Sequence, residues 1–369
     1  MLFLGAGAST PLGYPVMAEF VKRVREEIQR EGNESRHEEE AKLLTDLMFR
    51  GGYNDIEEVL VHIEKILSLT QDGMDSMWQD TLPKISPLGR QESIGFRQLT
   101  ANALSLRQYI ENSIFDVYQL FPEVQDKLEF HKELFLCMHQ ADSQGTTSAP
   151  RYVFTTNYDR VIEEFCRLQQ YDLRNGFRVD PVRQNRKLWW PASFDEPLLK
   201  DRVCVKLFKL HGSLSWKKAA DGHIEELSVD LSFSGKPPRM YEKKDLLIYP
   251  ASKTPPDDEP LRTLYDKFET EMNEAGSCLV VGFSFRDPYL NRIFREFAGS
   301  GRHQLFVMGK NCRENVANNL LKDKEALEIY TNDGRIVLVE RNLSEQGWAE
   351  ELKKALKAEM PGSFKGHSP

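Results

Sequence analysis

The segment LFLGAGAS, Leu2 to Ser9, places a short apolar run directly before a glycine-rich turn. Three further apolar runs end in a similar way, in TTNYD (Thr155–Asp159), KLHGS (Lys209–Ser213) and GFSFRDP (Gly282–Pro288). In an open α/β sheet, ligands bind at the carboxyl ends of the parallel strands. The four motifs therefore predict one ligand site, assembled at one sheet edge from distant parts of the chain.

Composition and charge argue against several classes of protein. The chain has 369 residues, 40% hydrophobic and 29% charged, which is typical of soluble globular proteins with about two structural units. The formal charge of -8 argues against direct nucleic-acid binding, which needs a dense basic surface. No apolar run approaches the ~20 residues that span a bilayer, so we expect neither a membrane helix nor a signal peptide. The five cysteines are scattered without a CxxC pair, which indicates reduced thiols in a cytoplasmic protein.

Apolar spacing alternates between the periods of strands and helices. We predict strands at Leu2–Leu4, Tyr152–Thr155, Val203–Leu210, Leu246–Tyr249, Leu279–Val281, Leu305–Met308 and Ile336–Glu340. We predict helices after the glycine loop from Met17 and at Tyr158–Leu168, Leu261–Glu274, Tyr289–Phe297 and Gln346–Met360. This alternation indicates an α/β fold with a doubly wound, mostly parallel Rossmann-like sheet. Residues 1–37 and 140–360 would form that domain, 38–139 an all-helical insertion, and 361–369 a disordered tail.

The glycine loop GAGAS has two interpretations. Glycines at a strand-to-helix turn let the backbone approach a pyrophosphate, whose charge the helix N-terminus attracts. Gly5 and Gly7 fit the dinucleotide pattern GxGxxG, but Thr10 stands where its third glycine belongs. No acid follows a second strand at the expected spacing of ~20 residues, which disfavours an ordinary dehydrogenase. A tight structural turn explains the glycines equally well.

Two residues of TTNYD also admit a structural interpretation. Asn157 lies between a predicted strand and a predicted helix, where its amide can face a ligand, although asparagine also favours helix N-caps. Asp159 suits the first turn of a helix, where an acid complements the helix dipole. The neighbouring motifs favour a functional role for Asn157, whereas the structural interpretation of Asp159 is strong.

His211 differs from the other seven histidines in its context. It ends a predicted buried strand at the proposed edge, where a group that titrates near neutrality suits general-base work. In GFSFRDP, Gly282 and Ser284 can offer backbone amides and a hydroxyl to a ribose or phosphate. An ordinary helix start at Asp287-Pro288 explains the same motif. No pair of histidines has the spacing of zinc ligands.

Together the four motifs resemble those of the sirtuin-like domains of prokaryotic anti-phage defence proteins. The matching positions are Gly5, Gly7, Ser9, Asn157, Asp159, His211, Gly282 and Ser284. The resemblance implies a domain that cleaves NAD to nicotinamide and ADP-ribose and so depletes the infected cell of NAD. It also implies a homo-oligomer, or an assembly with a separate partner such as a HerA-like ATPase or an Argonaute.

The resemblance further implies NAD as the substrate and no zinc. Asn157 would orient the attacking water and the ribose hydroxyls, and His211 would be the base. The binding residues would be Gly5, Ala6, Gly7, Ser9, Thr156, Asp159, Gly282 and Ser284. Protein-deacylating sirtuins share the phosphate loop, an Asn-x-Asp motif and a His-Gly pair, but the chain lacks their four-cysteine zinc ribbon. The alternatives are thus such a deacylase or a noncatalytic component that binds NAD or ADP-ribose.

Overall fold

Contacts within the chain divide it into two units. The computed structural model describes residues 1–32, 42–46, 59–60, 62–63, 67, 96–118, 128–141, 150–182, 184, 186–199, 201–219, 221–226 and 258–358. The first unit comprises Met1–Tyr14, Gln119–Ile248 and Ser252–Pro369, and we call it the sheet unit. The second comprises Pro15–Tyr118 and Tyr249–Ala251, and we call it the helical unit.

The strands belong to the sheet unit. They are β1 (Leu2–Leu4), β2 (Arg151–Thr155), β3 (Asp172–Arg174), β4 (Phe177–Val179), β5 (Lys187–Trp189), β6 (Cys204–Lys209), β7 (Trp216–Lys218), β8 (Ile224–Glu226), β9 (Ser277–Val281), β10 (Gln304–Met308) and β11 (Ile336–Val339). The predicted strand at Leu246–Tyr249 and the predicted tail at 361–369 lie outside the described residues.

The helices lie between and after these strands in the order of the sequence. The helical unit contains α1 (Met17–Gly32) and α2 (Phe96–Tyr118), and the sheet unit contains α3 (Glu129–Ala141), α4 (Val161–Leu168), α5 (Leu261–Glu274), α6 (Pro288–Gly299), α7 (Cys312–Asn315), α8 (Lys324–Asn332) and α9 (Trp348–Ala358). Ala6–Leu12 and Pro191–Asp195 are 3-10 helices, and Val316–Leu321 is a π-helical segment. Within the described ranges, no helix has the length and apolar character needed to cross a membrane.

The main sheet confirms the predicted doubly wound α/β fold. Among the described residues it has seven strands, which are all parallel and lie in the order β11-β10-β9-β1-β2-β6-β3. Strand β1 pairs with β2 on one side and with β9 on the other, so the strand order reverses beside β1. Open α/β sheets bind their ligands at such a reversal. The loops after β1, β2 and β9 are therefore the place to look for a site.

A layer of phenylalanine rings aligns these strands. Phe3, Phe154 and Phe208 are register partners on β1, β2 and β6 and are fully buried. Phe3 and Phe154 pack against Phe268 of α5, and Phe3 also packs against Phe294 of α6, with ring centroids 4.9 to 5.5 Å apart. Burying such a layer is the main driving force that holds the helices on the sheet.

The register brings the four sequence motifs to one level. Leu4 at the end of β1 is aligned with Thr155 of β2 and with Val281 of β9, and Thr155 is aligned with Lys209 of β6. Each motif continues from one of these aligned residues. The loops that carry the predicted site residues therefore start side by side.

A second, smaller sheet was not anticipated from the sequence. Strands β4, β5, β8 and β7 pair in that order, and all the pairs are antiparallel. Trp189 packs there against Phe177 and Trp216, at centroid distances of 5.3 and 6.4 Å. The strands have three residues each, too short for period-two alternation to be recognised in the sequence.

The helical unit divides the chain at positions other than those predicted. Its described residues are helical apart from Pro15 and Val16. Phe20 of α1 lies 5.6 Å from Tyr118 of α2 between ring centroids, and the Tyr118 hydroxyl donates to the Pro15 carbonyl at 2.9 Å. Helix α1 therefore belongs with α2, whereas α3 belongs to the sheet unit.

Candidate functional site

The glycines of two motifs are required by the packing of one loop on another. The Gly7 amide donates to the Gly282 carbonyl at 2.9 Å. A Cβ on Gly5 would lie 2.6 Å from the Phe283 Cα, and one on Gly282 would lie 2.4 Å from the Ala8 nitrogen. Gly282 also has a φ of 65°, in the left-handed region that favours glycine. The structural interpretation thus accounts for these glycines, and their packing joins the loops after β1 and β9 into one wall of the crevice.

Asn157 is held by that wall. Its Nδ2 donates to the Gly5 carbonyl at 3.1 Å and to Ser9 Oγ at 3.0 Å. Ser9 Oγ in turn donates to Asp159 Oδ2 at 2.8 Å. Asn157 therefore does not cap α4, as its structural interpretation would require. Both Nδ2 protons are used, so Oδ1 of this half-buried side chain is the atom left to face a ligand.

Asp159 has the structural role that its position suggested, together with a second one. Its Oδ1 accepts a hydrogen bond from the Val161 amide at 3.0 Å, at the start of α4. Helix α4 therefore begins three residues later than the predicted Tyr158, because residues 156–160 form a loop. Burial raises the pKa of the Asp159 carboxyl, and the nearby Lys209 ammonium opposes that rise.

Lys209 is a site component that sequence reasoning missed. Its Nζ is buried and donates to the carbonyls of Tyr158 and Asp159 and, at 3.0 Å, to Glu163 Oε1 of α4. The signal was available, since a lysine inside the apolar run VKLFKL must find partners if it is buried. We call Ser9, Asn157, Asp159, Glu163 and Lys209 the Asn157 cluster.

His211 has a carboxylate partner. Its Nε2 lies 3.1 Å from Asp287 Oδ2, and both side chains are only 3 to 4% exposed. Asp287 Oδ1 accepts from the amides of Tyr289 and Leu290, so this residue also caps α6, as its structural interpretation predicted. A carboxylate can only accept, so Nε2 carries a proton, and in the neutral form of the ring Nδ1 holds the lone pair. We call these two residues the His211 pair.

The loop that carries Asp287 is braced by two asparagines. Asn319 Nδ2 donates to the Ser284 carbonyl at 2.8 Å, and Asn291 Nδ2 donates to the Phe285 carbonyl at 2.7 Å. Phe285 is fully buried and has a φ of 54°, an uncommon value for a residue with a side chain. The bracing fixes the backbone of Ser284, whose side chain is half-buried.

The other predicted binding residues line the ends of β1 and β2. Thr156 donates its amide to the Leu4 carbonyl at 3.2 Å, and its side chain is half-buried, as is Ala6. Ala6 belongs to the glycine loop after β1, and Thr156 directly precedes Asn157 after β2. Their predicted role in binding stays a prediction.

The two groups of side chains are joined through the backbone. The Leu210 amide donates to the Thr155 carbonyl at 2.8 Å, and the Leu214 amide donates to the Tyr158 carbonyl at 3.3 Å. In the part of the chain that the structure describes, no side-chain hydrogen bond joins Asn157 with His211. The fold thus places the two predicted catalytic residues on adjoining loops and supports each with its own partners.

The cysteines of the chain are isolated thiols. All five cysteines are buried and none forms a disulfide. Over the described ranges, no three side chains of His, Cys, Asp or Glu are grouped so that they could hold a metal ion.

Comparison with known proteins supports part of the sequence interpretation. Residues 151–329 match the family model of the SIR2-like domain. The matched range runs from β2 into α8 and includes TTNYD, KLHGS and GFSFRDP, whereas the glycine loop after β1 lies outside it. This match supports a sirtuin-like domain and an NAD-related activity. A search of curated proteins found no match to the chain.

Proposed function

We propose that the chain is an NAD+ glycohydrolase, which converts NAD+ and water to nicotinamide and ADP-ribose. One observation carries the proposal. Within the residues that match the SIR2-like domain, the loop after β2 presents an asparagine with a fixed acceptor oxygen, and the adjoining loop after β6 presents a histidine with a carboxylate partner. The first can orient a hydroxyl or a water, and the second can remove a proton.

The chemistry needs few groups. The bond between the ribose anomeric carbon and the nicotinamide nitrogen breaks through an oxocarbenium-like transition state, as in glycoside hydrolysis. The nicotinamide leaves from a cationic pyridinium and departs neutral, so no acid has to protonate it. Water forms the new bond to the anomeric carbon, and its proton has to be taken up by a base.

His211 would supply that base at Nδ1. Because Asp287 accepts from Nε2, it keeps the ring in the tautomer whose Nδ1 is free, and it stabilises the imidazolium that forms. The proton would come from the attacking water directly or through a ribose hydroxyl. General-base catalysis of this kind contributes about 10²–10⁴-fold to the rate.

Asn157 would orient the nucleophile. Its Oδ1 would accept a hydrogen bond from the attacking water or from a ribose hydroxyl, because Gly5 and Ser9 already occupy Nδ2. Positioning of a reactant can contribute several kcal/mol to the lowering of a barrier, on the order of 7 in good cases. The glycine loop after β1 would lie against the pyrophosphate, and Ser284 would face the adenosine side.

The proposal is tested by following NAD+ and free nicotinamide by chromatography with the purified protein and no peptide. We expect equal amounts of nicotinamide and ADP-ribose from the wild type, and no release from Asn157→Ala or His211→Ala. His223→Ala is the matched control, because that histidine is exposed in a turn and should keep full turnover. Wild-type turnover in both site variants would contradict the assignment.

The same assay separates the alternative functions. Nicotinamide release that requires an acyl-lysine peptide would indicate a deacylase. Binding of NAD or ADP-ribose without release, measured by calorimetry, would indicate a noncatalytic component. Both outcomes would overturn hydrolysis as the activity of the isolated chain.

The biological role that we propose follows from the resemblance of the motifs. The chain would act in the cytoplasm as an effector of anti-phage defence, as a homo-oligomer or with a separate partner such as a HerA-like ATPase. Infected cells that carry the wild-type gene should lose their NAD, and cells that carry His211→Ala should keep it. Equal NAD levels in both would argue against this role.

A further inference from the structure

The hydrogen bonds around Ser9 have a defined direction. Asp159 Oδ1 accepts from the Val161 amide, and Oδ2 accepts from Ser9 Oγ. When Asp159 is ionised, its carboxylate can only accept, so the single hydroxyl proton of Ser9 is committed to Asp159. Ser9 therefore presents only lone pairs to Asn157.

This direction decides which end of the Asn157 amide faces the crevice. Ser9 Oγ lies 3.0 Å and the Gly5 carbonyl 3.1 Å from Nδ2. Both atoms act as acceptors towards Asn157, so both require its NH₂ group. A flipped amide would place Oδ1 against two acceptors and lose both hydrogen bonds. The orientation is thus imposed by the surrounding protein.

We propose that Asp159 and Ser9 are positioning residues, which act as a directional relay that keeps Oδ1 of Asn157 turned towards the substrate. The inference rests on the proposed function, and it assigns these two side chains a role other than direct contact with the pyrophosphate or the nicotinamide. Their burial agrees with this role, since Ser9 is 3% and Asp159 5% exposed.

Lys209 supports the relay by its charge. A carboxylate removed from water is costly unless a cation compensates it, and the Lys209 ammonium contacts the Asp159 carbonyl. The other titratable groups facing Asp159 are Glu163 of α4 and Tyr14. Burial raises the pKa of Tyr14, and the charge of Asp159 raises it further. When Asp159 loses its charge, the Ser9 hydroxyl can turn its proton towards Asn157. That proton then needs an acceptor, which favours the flipped amide with Oδ1 towards Ser9.

Two variants distinguish a relay from direct ligand contact. Asp159→Asn keeps the shape but turns an NH₂ group towards Ser9, so kcat should fall about 10²-fold, as for other small displacements of reacting groups. Ser9→Ala removes the relay but leaves the Gly5 carbonyl, so kcat should fall about 10-fold, the equivalent of one hydrogen bond. In both, KM for NAD+ and Kd for ADP-ribose should stay close to those of the wild type.

A direct role for Ser9 would give the opposite pattern. Removing a hydroxyl that binds the pyrophosphate would weaken ADP-ribose binding and raise KM while leaving kcat unchanged, and that result would overturn the relay. Ser193→Ala is the control, because Ser193 is also buried and its Oγ has no hydrogen-bond partner in the described part of the chain. It should change neither constant.

A second readout needs no turnover. The side-chain NH₂ resonances of Asn157, assigned by their loss in Asn157→Asp, should shift with pH in one step as Asp159 gains its proton. That step should lie above the ordinary aspartate range, since burial raises the pKa of Asp159, and it should vanish in Asp159→Asn. Resonances that do not titrate in the full chain would overturn the relay. A titrating resonance in a protein that releases no nicotinamide would leave the relay intact and refute only the proposed hydrolysis.

Discussion

The Asn157 cluster and the His211 pair fix their functional side chains in different ways. Asn157 is neutral and is oriented by two acceptors, behind which lie the buried charges of Asp159, Glu163 and Lys209. His211 is oriented by the single carboxylate of Asp287. The difference agrees with the roles proposed for the two residues, because an orienting amide needs its direction set, whereas a base also needs its positive form stabilised after it takes up a proton.

In each of the two regions, one aspartate both caps a helix and accepts a hydrogen bond from a second side chain. Asp159 caps α4 with Oδ1 and serves Ser9 with Oδ2, and Asp287 caps α6 with Oδ1 and serves His211 with Oδ2. A structural interpretation of either residue is therefore correct without being complete. Each helix start carries a carboxylate whose second oxygen supports the crevice.

The largest expected effect tests the His211 pair. Asp287→Asn keeps an acceptor for the α6 cap but turns an NH₂ group towards Nε2, which forces the ring into the other tautomer and removes the lone pair from Nδ1. We expect nicotinamide release to fall about 10²–10⁴-fold, with a loss of unfolding free energy below about 1 kcal/mol because asparagine caps well. Asp323→Asn is the matched control, since Asp323 caps α8 in the same way. Unchanged turnover in Asp287→Asn would show that the carboxylate is only a cap.

The next effect tests the charges behind Asn157. Lys209→Met leaves Glu163 and Asp159 buried without their cation, so the free energy of unfolding should fall by about 3–5 kcal/mol in denaturant titrations. Lys206→Met on the same strand removes a cation that lies 5.2 Å from the centre of the Tyr152 ring, and it should cost only about 1 kcal/mol. Equal losses in the two variants would refute the special role of Lys209.

Gly282→Ala tests whether loop packing or backbone conformation makes the glycine necessary. Gly222 also has a positive φ, of 83°, but nothing lies within 4 Å of the position of its Cβ. Gly222→Ala should therefore cost about 1–2 kcal/mol from backbone strain alone. Gly282→Ala should lose about 1–3 kcal/mol more, because its Cβ would meet the backbone of Gly7 and Ala8. Thermal unfolding of both variants measures the difference, and similar losses would show that packing adds nothing.

The smallest effect uses a second buried histidine as the contrast to His211. His131 of α3 is fully buried, neither ring nitrogen has a partner in the described part of the chain, and burial lowers its pKa from 6.5 to about 4. The unfolded chain binds a proton at this histidine near pH 6.5, whereas the folded protein binds it only near pH 4. The free energy of unfolding therefore falls as the pH falls from 6.5 towards about 4. This loss amounts to at most about 3 kcal/mol. His131→Leu should unfold at a temperature that depends less on pH between 6.5 and 4; an unchanged pH dependence would contradict this.

The placement of the candidate site at one sheet edge could be predicted because strand ends are local features of a sequence. Apolar runs before GAGAS, TTNYD, KLHGS and GFSFRDP predicted strands that the structure contains, and parallel pairing then brings their ends to one edge. His211 and Asn157 could be singled out for the same reason, because each follows the end of a predicted strand. The match to the SIR2-like domain includes three of the four motifs.

The partners of these residues could not be predicted, because they depend on contacts between distant segments. Ser9 meets Asp159 across 150 positions, and His211 meets Asp287 across 76. A single sequence gives the helix-capping tendency of an aspartate but not the identity of whatever its second oxygen contacts. The close approach of Gly7 and Gly282 likewise follows from the pairing of β1 with β9, which only the folded sheet reveals.

The central claim is that the two regions act on one bond. Its most direct test compares nicotinamide release from NAD+ alone by the wild type, Asn157→Ala, His211→Ala and the double variant. Because groups that act in the same step are strongly non-additive, we expect each single variant to lose nearly all turnover and the double variant to lose little more. Wild-type turnover in either single variant, or no release by the wild type, would contradict the account.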